Sequence, residues 1–348
     1  MLYYNNLDAR SVRERVNMEQ IWTAWLEAEQ RRRHSFTGFL DWEKRNGTDY
    51  LYSRKRGVVK SLGRRSPETE RIRNAFHDGR EKNASRLAEL SEEMNRQAAI
   101  LRALGLGRLP VPAARILRAI RLAAPDATIR VIGTNALYAY EAMAGVTFDA
   151  ASTATGDIDI LVDDRNRLKL MTEENDQPSL IGLIQRDVDR SFQARGPRDF
   201  RLTNNTGYMV EFIRPEPRPP HRRMPGAAPL AEGDVAPAPI RGLQWLINVP
   251  HVDTVAIDER GFPAPVRAAD PRFWAAHKLW LAERQDREAQ KKLRDGQQAQ
   301  ILLDLIATKL PQLPLDDAFL DTVPGQLRPL LRDRLKDSSG RRHETPEW

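Results

Sequence analysis

The most constraining stretch of this chain is Asp157-Ile158-Asp159-Ile160-Leu161-Val162. A strand sends successive side chains to opposite faces, so Asp157 and Asp159 project from one side while Ile158, Ile160 and Val162 project from the other. One face must meet an apolar core. The other presents two carboxylates side by side, and their repulsion is costly unless a cation lies between them. Hard oxygen donors at this spacing suit magnesium, which also binds triphosphate oxygens. A second alternating run, from Gly207 to Ile213, repeats the logic, with Met209, Glu211 and Ile213 opposite Tyr208, Val210 and Phe212. If it lies beside the first strand, Glu211 completes a three-carboxylate cluster.

Upstream, Ala127 to Ile132 is a short β-rich run that stops at Gly133-Thr134, and a helix is expected from Asn135 to Ala144. A small turn at a helix amino terminus exposes backbone amides to phosphate, and Thr134 adds a hydroxyl. Gly133 and Thr134 are therefore candidate phosphate-binding residues.

Three regions are expected. Residues 1–110 read as a basic, mainly helical domain with a short hairpin. Apolar residues at helical spacing run from Ser11 to about Arg33, short strands lie between Asn46 and Gly63, and Glu68 to Leu106 is helical with a break near His77 to Gly79. Residues 111–260 hold the strands above, with a helix over Pro112–Leu122, another over Leu180–Ser191, and a proline-rich loop over 215–239. Leu243–Asn248 and Thr254–Ile257 read as strands. Residues 261–348 read as a helical lobe, with helices from Pro271 to about Arg294, Gln297 to Leu310 and Pro324 to Leu335. The fold class is α+β: a small mixed sheet with helices, a helical amino-terminal domain and a helical carboxyl-terminal lobe.

Composition narrows the chemistry. The chain has no cysteine, so a bound metal must use oxygen or imidazole ligands, which favours Mg2+ or Mn2+ over zinc. No apolar run approaches the roughly 18–20 residues that cross a bilayer, and Asp8, Arg10 and Arg13 interrupt any signal-peptide core, so a cytoplasmic location without membrane contact is expected. The formal charge of +7 is unevenly placed. Residues 1–110 hold 22 Lys and Arg against 15 Asp and Glu, and the remainder holds 33 of each sign. Between Lys44 and Arg65 there are eight cations and one acid. Arg54, Lys55 and Arg56 at a hairpin tip, with Lys60 nearby and Tyr50 and Tyr52 beside them, are candidates to grip a phosphate backbone and stack a base. A solvated turn is the plainer alternative.

Taken in order, the apolar strand, Gly133-Thr134, helix, Asp157-x-Asp159 and later carboxylate strand resemble the DNA polymerase β-like nucleotidyltransferase superfamily. Gly133 to Glu141, Thr155 to Asp159, and His277-Lys278-Leu279 followed by Lys291, Lys292 and Asp295 are similar to a bacterial family of nucleotidyltransferase-fold proteins. Tyr50-Leu51-Tyr52, Lys60 to Gly63 and Gly107-Arg108 extend the likeness over most of the chain. The resemblance implies phosphate binding at Gly133 and Thr134, and metal binding at Asp157 and Asp159, with Glu211 as a third metal-facing carboxylate. It departs from the superfamily pattern in having Thr134 for serine, Glu211 for aspartate and a longer gap between the two motifs.

Lys278 and Lys291 are candidate triphosphate ligands. The plainer alternatives are a surface lysine at Lys278 and an i,i+4 pair of Lys291 with Asp295. His277 reads as structural. The implied reaction transfers a nucleoside monophosphate from an NTP, with two divalent ions, to an acceptor hydroxyl. RNA, such as a tRNA end modified by a toxin-like enzyme with an antitoxin partner, is the favoured acceptor. A protein or a small molecule such as an aminoglycoside is the alternative, and a catalytically inactive binding module is a third reading.

Overall fold

The chain enters through β1 (Tyr4–Asn6) and α1 (Ala9–His34), passes through a meander of β2 (Phe39–Arg45), β3 (Thr48–Lys55) and β4 (Val58–Arg64), and returns along α2 (Pro67–Ala103). The computed structural model describes residues 3–342 apart from 56, 164, 166–178, 197–198, 218, 220–221, 223–228 and 230–233. Local chemistry explains each turning point. Asp8 caps α1 by accepting from the Ser11 amide, and Ser66 and Thr69 form a capping box at the start of α2, with Pro67 in the first turn. Asn46 and Gly47, both at positive φ, make the β2–β3 turn. Helices α1 and α2 run antiparallel: Asn83 donates to the Ala28 carbonyl, Trp25 to Ser91, and Gln97 to the Glu14 carbonyl.

The expected break near His77 to Gly79 does not occur, since α2 is continuous over its 37 residues. Gly79 serves a close approach instead: a Cβ there would lie 2.8 Å from the Phe36 ring.

The remaining elements are α3 (Val111–Ala123), β5 (Ile129–Ile132), a 3-10 turn (Thr134–Ala136), α4 (Leu137–Ala144), β6 (Val146–Phe148), α5 (Ala150–Thr153), β7 (Asp157–Val162) and α6 (Leu180–Asp187). They continue with β8 (Gln193–Ala194), β9 (Arg201–Thr203), β10 (Met209–Pro215), β11 (Ala238–Ile240), α7 (Gln244–Ile247), β12 (His251–Ile257), β13 (Pro263–Ala269) and α8 (Pro271–Glu283). The last are α9 (Ala289–Lys309), α10 (Asp317–Thr322) and α11 (Arg328–Arg342).

Eight described strands form one mixed sheet in the order β12-β13-β5-β7-β10-β9-β8, with β11 also on β10. Strands β7 and β10 are parallel at its centre, and β5 lies antiparallel to β7 on the side away from β10. The architecture is therefore mixed α+β.

The main core fills one face of this sheet. Ile158, Ile160, Val162, Val210 and Phe212 pack there with residues of α3, α4, α8 and α9. Each fully buried aliphatic contributes about 1.5–3 kcal/mol from removal of its surface from water. A second cluster joins Met18, Ile21 and Trp22 of α1 to Leu90, Met94 and Leu101 of α2 and to Ile257 of β12, so the helical pair seats on the sheet's edge.

Two expectations for the later chain are corrected. Leu243 to Asn248 is not a strand: it contains the one-turn helix α7, which points Leu243, Leu246 and Ile247 at Leu161 and Ile213. A short apolar run has no period that separates the two readings. The helix expected from Pro271 to Arg294 ends at Glu283, because Arg284 is extended, and α9 begins at Ala289. This break lets α9 fold back along α8. Among the described residues no helix is long and apolar enough to cross a membrane.

Candidate active site

In the parallel β7–β10 ladder Asp157 lies opposite Met209 and Asp159 opposite Glu211. Opposed residues in a ladder share a face, so Asp157, Asp159 and Glu211 all project from the side away from the main core. Farther along that face, Leu161 and Ile213 are covered by α7, which closes one end of the carboxylate row.

On the other side of β7, Ile132 pairs with Asp159, and the chain leaves the sheet at Gly133. Gly133 has φ 62° and ψ −154°, a conformation essentially restricted to glycine. A Cβ there would also overlap the Asp159 Oδ2 atom, so the turn and the carboxylate are packed directly against each other. The helix start expected at Asn135 is preceded by the 3-10 turn Thr134–Ala136, and α4 proper begins at Leu137. Asn135 ties the turn to the strand by donating to the Asp157 carbonyl at 2.6 Å. The Thr134 hydroxyl accepts from Gln298 Nε2 at 3.3 Å, and the Asp157 carboxylate accepts from the Thr155 hydroxyl.

The electrostatics follow from this crowding. Burial, reinforced by Asp157 and Glu211, pushes the Asp159 carboxyl up to about 7, against the opposing pull of Lys278 and Arg287. Glu211 is already engaged by Arg201, which faces it across the β9–β10 ladder and contacts Oε1 through Nε at 2.8 Å and Nη2 at 2.5 Å. Among the described residues no three His, Asp or Glu side chains converge closely enough to hold a metal ion. Glu211 is held by Arg201 instead. The donors still fit a hard divalent cation, being carboxylate oxygens on one face with a surplus of negative charge.

Lys278 is not a surface residue. It is buried on α8, donates to Asp295 Oδ1 at 2.7 Å and lies 5.1 Å from the Trp274 ring centre. Burial lowers its pKa, and Asp295 opposes that shift. Asp295 also receives Arg287 at 2.8 Å, so one buried carboxylate holds two cations that both act on Asp159. The expected Lys291–Asp295 pair is absent: Asp295 is turned inward, and the exposed Lys291 pairs with Glu288 at 3.2 Å. His277 is buried against Trp245 and Trp280, and burial pushes it down to about 3, so it is a neutral packing residue at ordinary pH.

The basic candidates belong to a different sheet and do not join the carboxylates. Arg54 pairs with Glu43, Lys55 donates to the His34 carbonyl, and Lys60 is exposed on β4. Arg56 lies outside the described residues.

Sequence reasoning missed Arg201, Arg287, Asn135 and Gln298. Asn135 adjoins the Gly-Thr turn and was within reach of that argument. Arg201 follows from no local pattern, since β9 is only three residues long. Arg287 lies in the break between α8 and α9, which the sequence reading had as continuous helix.

A family model described as Nucleotidyltransferase matches residues 112–324, more than half of the chain. No curated protein and no solved structure matches it. The span takes in the Gly133 turn, both carboxylate strands and the α8–α9 pair. The chain belongs to this nucleotidyltransferase family.

Proposed function

We propose that this nucleotidyltransferase moves a nucleoside monophosphate from an NTP to a hydroxyl of RNA and releases pyrophosphate at the Asp157–Asp159–Glu211 face. The observation that carries the reading is the register of β7 and β10, which sets Asp159 opposite Glu211 on one face with the Gly133 turn packed on Asp159.

Asp157 and Asp159 would hold the divalent ions in this reading, with Glu211 as a third ligand once released from Arg201. Mg2+ or Mn2+ held there would supply Lewis acidity that lowers the pKa of an attacking hydroxyl and offsets charge on the departing pyrophosphate. The acceptor oxygen attacks the α-phosphorus, the bond to the bridging oxygen of the pyrophosphate breaks, and the hydroxyl proton leaves to solvent. Gly133 and Thr134 meet the phosphates with backbone amides and a hydroxyl. Lys278 and Arg287, pinned by Asp295, supply fixed positive charge where negative charge accumulates. Lys291 would have to leave Glu288 to take part, so it is the weaker phosphate ligand. RNA is favoured as acceptor because the excess positive charge lies in residues 1–110.

The test is label transfer from each α-labelled NTP, with magnesium and total RNA, by the wild type and by Asp157→Ala/Asp159→Ala. Labelled RNA with the wild type alone supports the reading. Equal labelling by the double variant overturns the assignment of the site, and label in protein alone overturns the acceptor.

A further inference from the structure

The three-stranded meander has two unlike faces. The register of β2, β3 and β4 puts Leu40 and Leu51 on one side, where both are buried and α2 reaches the Leu40 carbonyl through His77 at 2.9 Å. The opposite side carries Phe39, Arg45, Tyr50, Tyr52, Val59 and Arg64, together with Asp41 and Glu43, which pair with Arg73 of α2 and with Arg54. Phe39 is 71% exposed and Val59 54%, so among the described residues that end of the face is left largely uncovered. Phe39 and Val59 both lie opposite Arg54 of β3, so the two open apolar side chains are near one another at this end of the face.

The charge around them narrows the partner. From Phe39 to Arg64 the meander holds seven cations against three acids. Arg45 lies 4.7 Å over the Tyr52 ring, and Arg64 lies 5.9 Å over Tyr50 while donating to its hydroxyl at 3.1 Å. Both tyrosines are half-buried, and each has a guanidinium stacked on its ring. Stacking surfaces flanked by cations suit unpaired bases on a phosphate backbone. A second copy of the chain would bring this net positive charge against itself.

The scale also favours a macromolecule. The meander is the outer turn of the α1–α2 pair, and α2 has 37 residues, an arm of about 55 Å at 1.5 Å per residue. A small acceptor at the carboxylates has no use for a reading surface carried that far along the chain.

We propose that the outer face of the β2–β3–β4 meander, through Phe39, Tyr50, Tyr52, Arg45 and Arg64, binds a single-stranded segment of RNA. This deepens the RNA-acceptor reading and rests on it for its purpose, while the binding itself is measured without catalysis.

The experiment is fluorescence anisotropy of a labelled single-stranded oligouridine with the full chain, without nucleotide, across a salt series. Phe39→Ala/Tyr52→Ala should weaken binding about tenfold or more while the melting temperature stays within a few degrees. Arg45→Ala/Arg64→Ala should flatten the salt dependence by about one to two phosphate contacts. Lys82→Ala/Arg86→Ala, on the exposed side of α2, should bind as the wild type does. No binding by the wild type at low salt overturns the proposal, and so does equal affinity in the Phe39/Tyr52 variant. A Phe39/Tyr52 variant that changes the oligomeric state in light scattering and leaves RNA affinity intact assigns the face to self-association instead. Label transfer by the Asp157/Asp159 pair reads the catalytic assignment separately, so either idea can fail alone.

Discussion

Arg201 and Glu211 stand directly opposite each other in the β9–β10 ladder, and the guanidinium occupies the one carboxylate that would complete the metal face. A cation and Arg201 compete for the same oxygen. Replacing Arg201 by alanine should therefore tighten Mn2+ binding severalfold in the absence of nucleotide, measured by electron paramagnetic resonance of free Mn2+. Weaker or unchanged Mn2+ affinity would show that Glu211 takes no part in holding the ion.

Asp159 gives a pH-dependent prediction. Its folded-state pKa is raised to about 7 from the ordinary carboxylate value of 3.8. Below the lower value both states are protonated, and as pH rises toward 7 only the unfolded chain gains by losing its proton, so this carboxyl destabilises the fold progressively up to about pH 7. Asp159→Asn removes that burden. Without metal the variant should melt several degrees above the wild type at pH 8, since each unit of raised pKa is about 1.4 kcal/mol, and the gap should narrow as pH falls and close only below about pH 4. Magnesium should raise the wild-type melting temperature more than the variant's. A gap that persists unchanged to pH 4 would rule out titration of Asp159 as its source.

Gly133 should tolerate no side chain. Gly133→Ala meets both an unfavourable φ and the Asp159 carboxylate, so a loss of about 1–3 kcal/mol in chemical denaturation is expected. Label transfer should fall further than stability does, because Asp159 must move to make room. A variant with full activity would mean that the turn is not packed on a working carboxylate.

The Lys278–Asp295 pair separates folding from chemistry. Asp295→Ala leaves Lys278 buried without its carboxylate and should cost about 3–5 kcal/mol. Lys278→Met/Asp295→Leu replaces the pair with apolar groups and should recover most of that loss while label transfer stays low. Recovery of transfer along with stability would reduce both residues to a structural pair.

The alternation in Asp157 to Val162 and in Met209 to Ile213 was enough to assign two strands and the face each carboxylate takes, because a side-chain period of two is a local property of the backbone. The Gly133-Thr134 turn and the extent of α1 were legible for the same reason. The amino-terminal excess of charge was also plain in the sequence.

Other features depend on which segments meet. No local pattern indicates that β10 pairs with β7 in the register that sets Glu211 against Asp159, or that β9 brings Arg201 to the same carboxylate. Gly79 looked like a helix break and is a packing contact with Phe36, a distinction that exists only once α1 and α2 lie together. The break at Arg284 turns Asp295 from a surface partner of Lys291 into the buried anchor of Lys278 and Arg287. The sequence by itself determined the periodic elements, the residue types of the site and the side of the strand they face, since these follow from backbone geometry over a few residues. Only the tertiary structure decided which carboxylate is held by which cation, because charges separated by many residues interact through distances that chain folding alone sets.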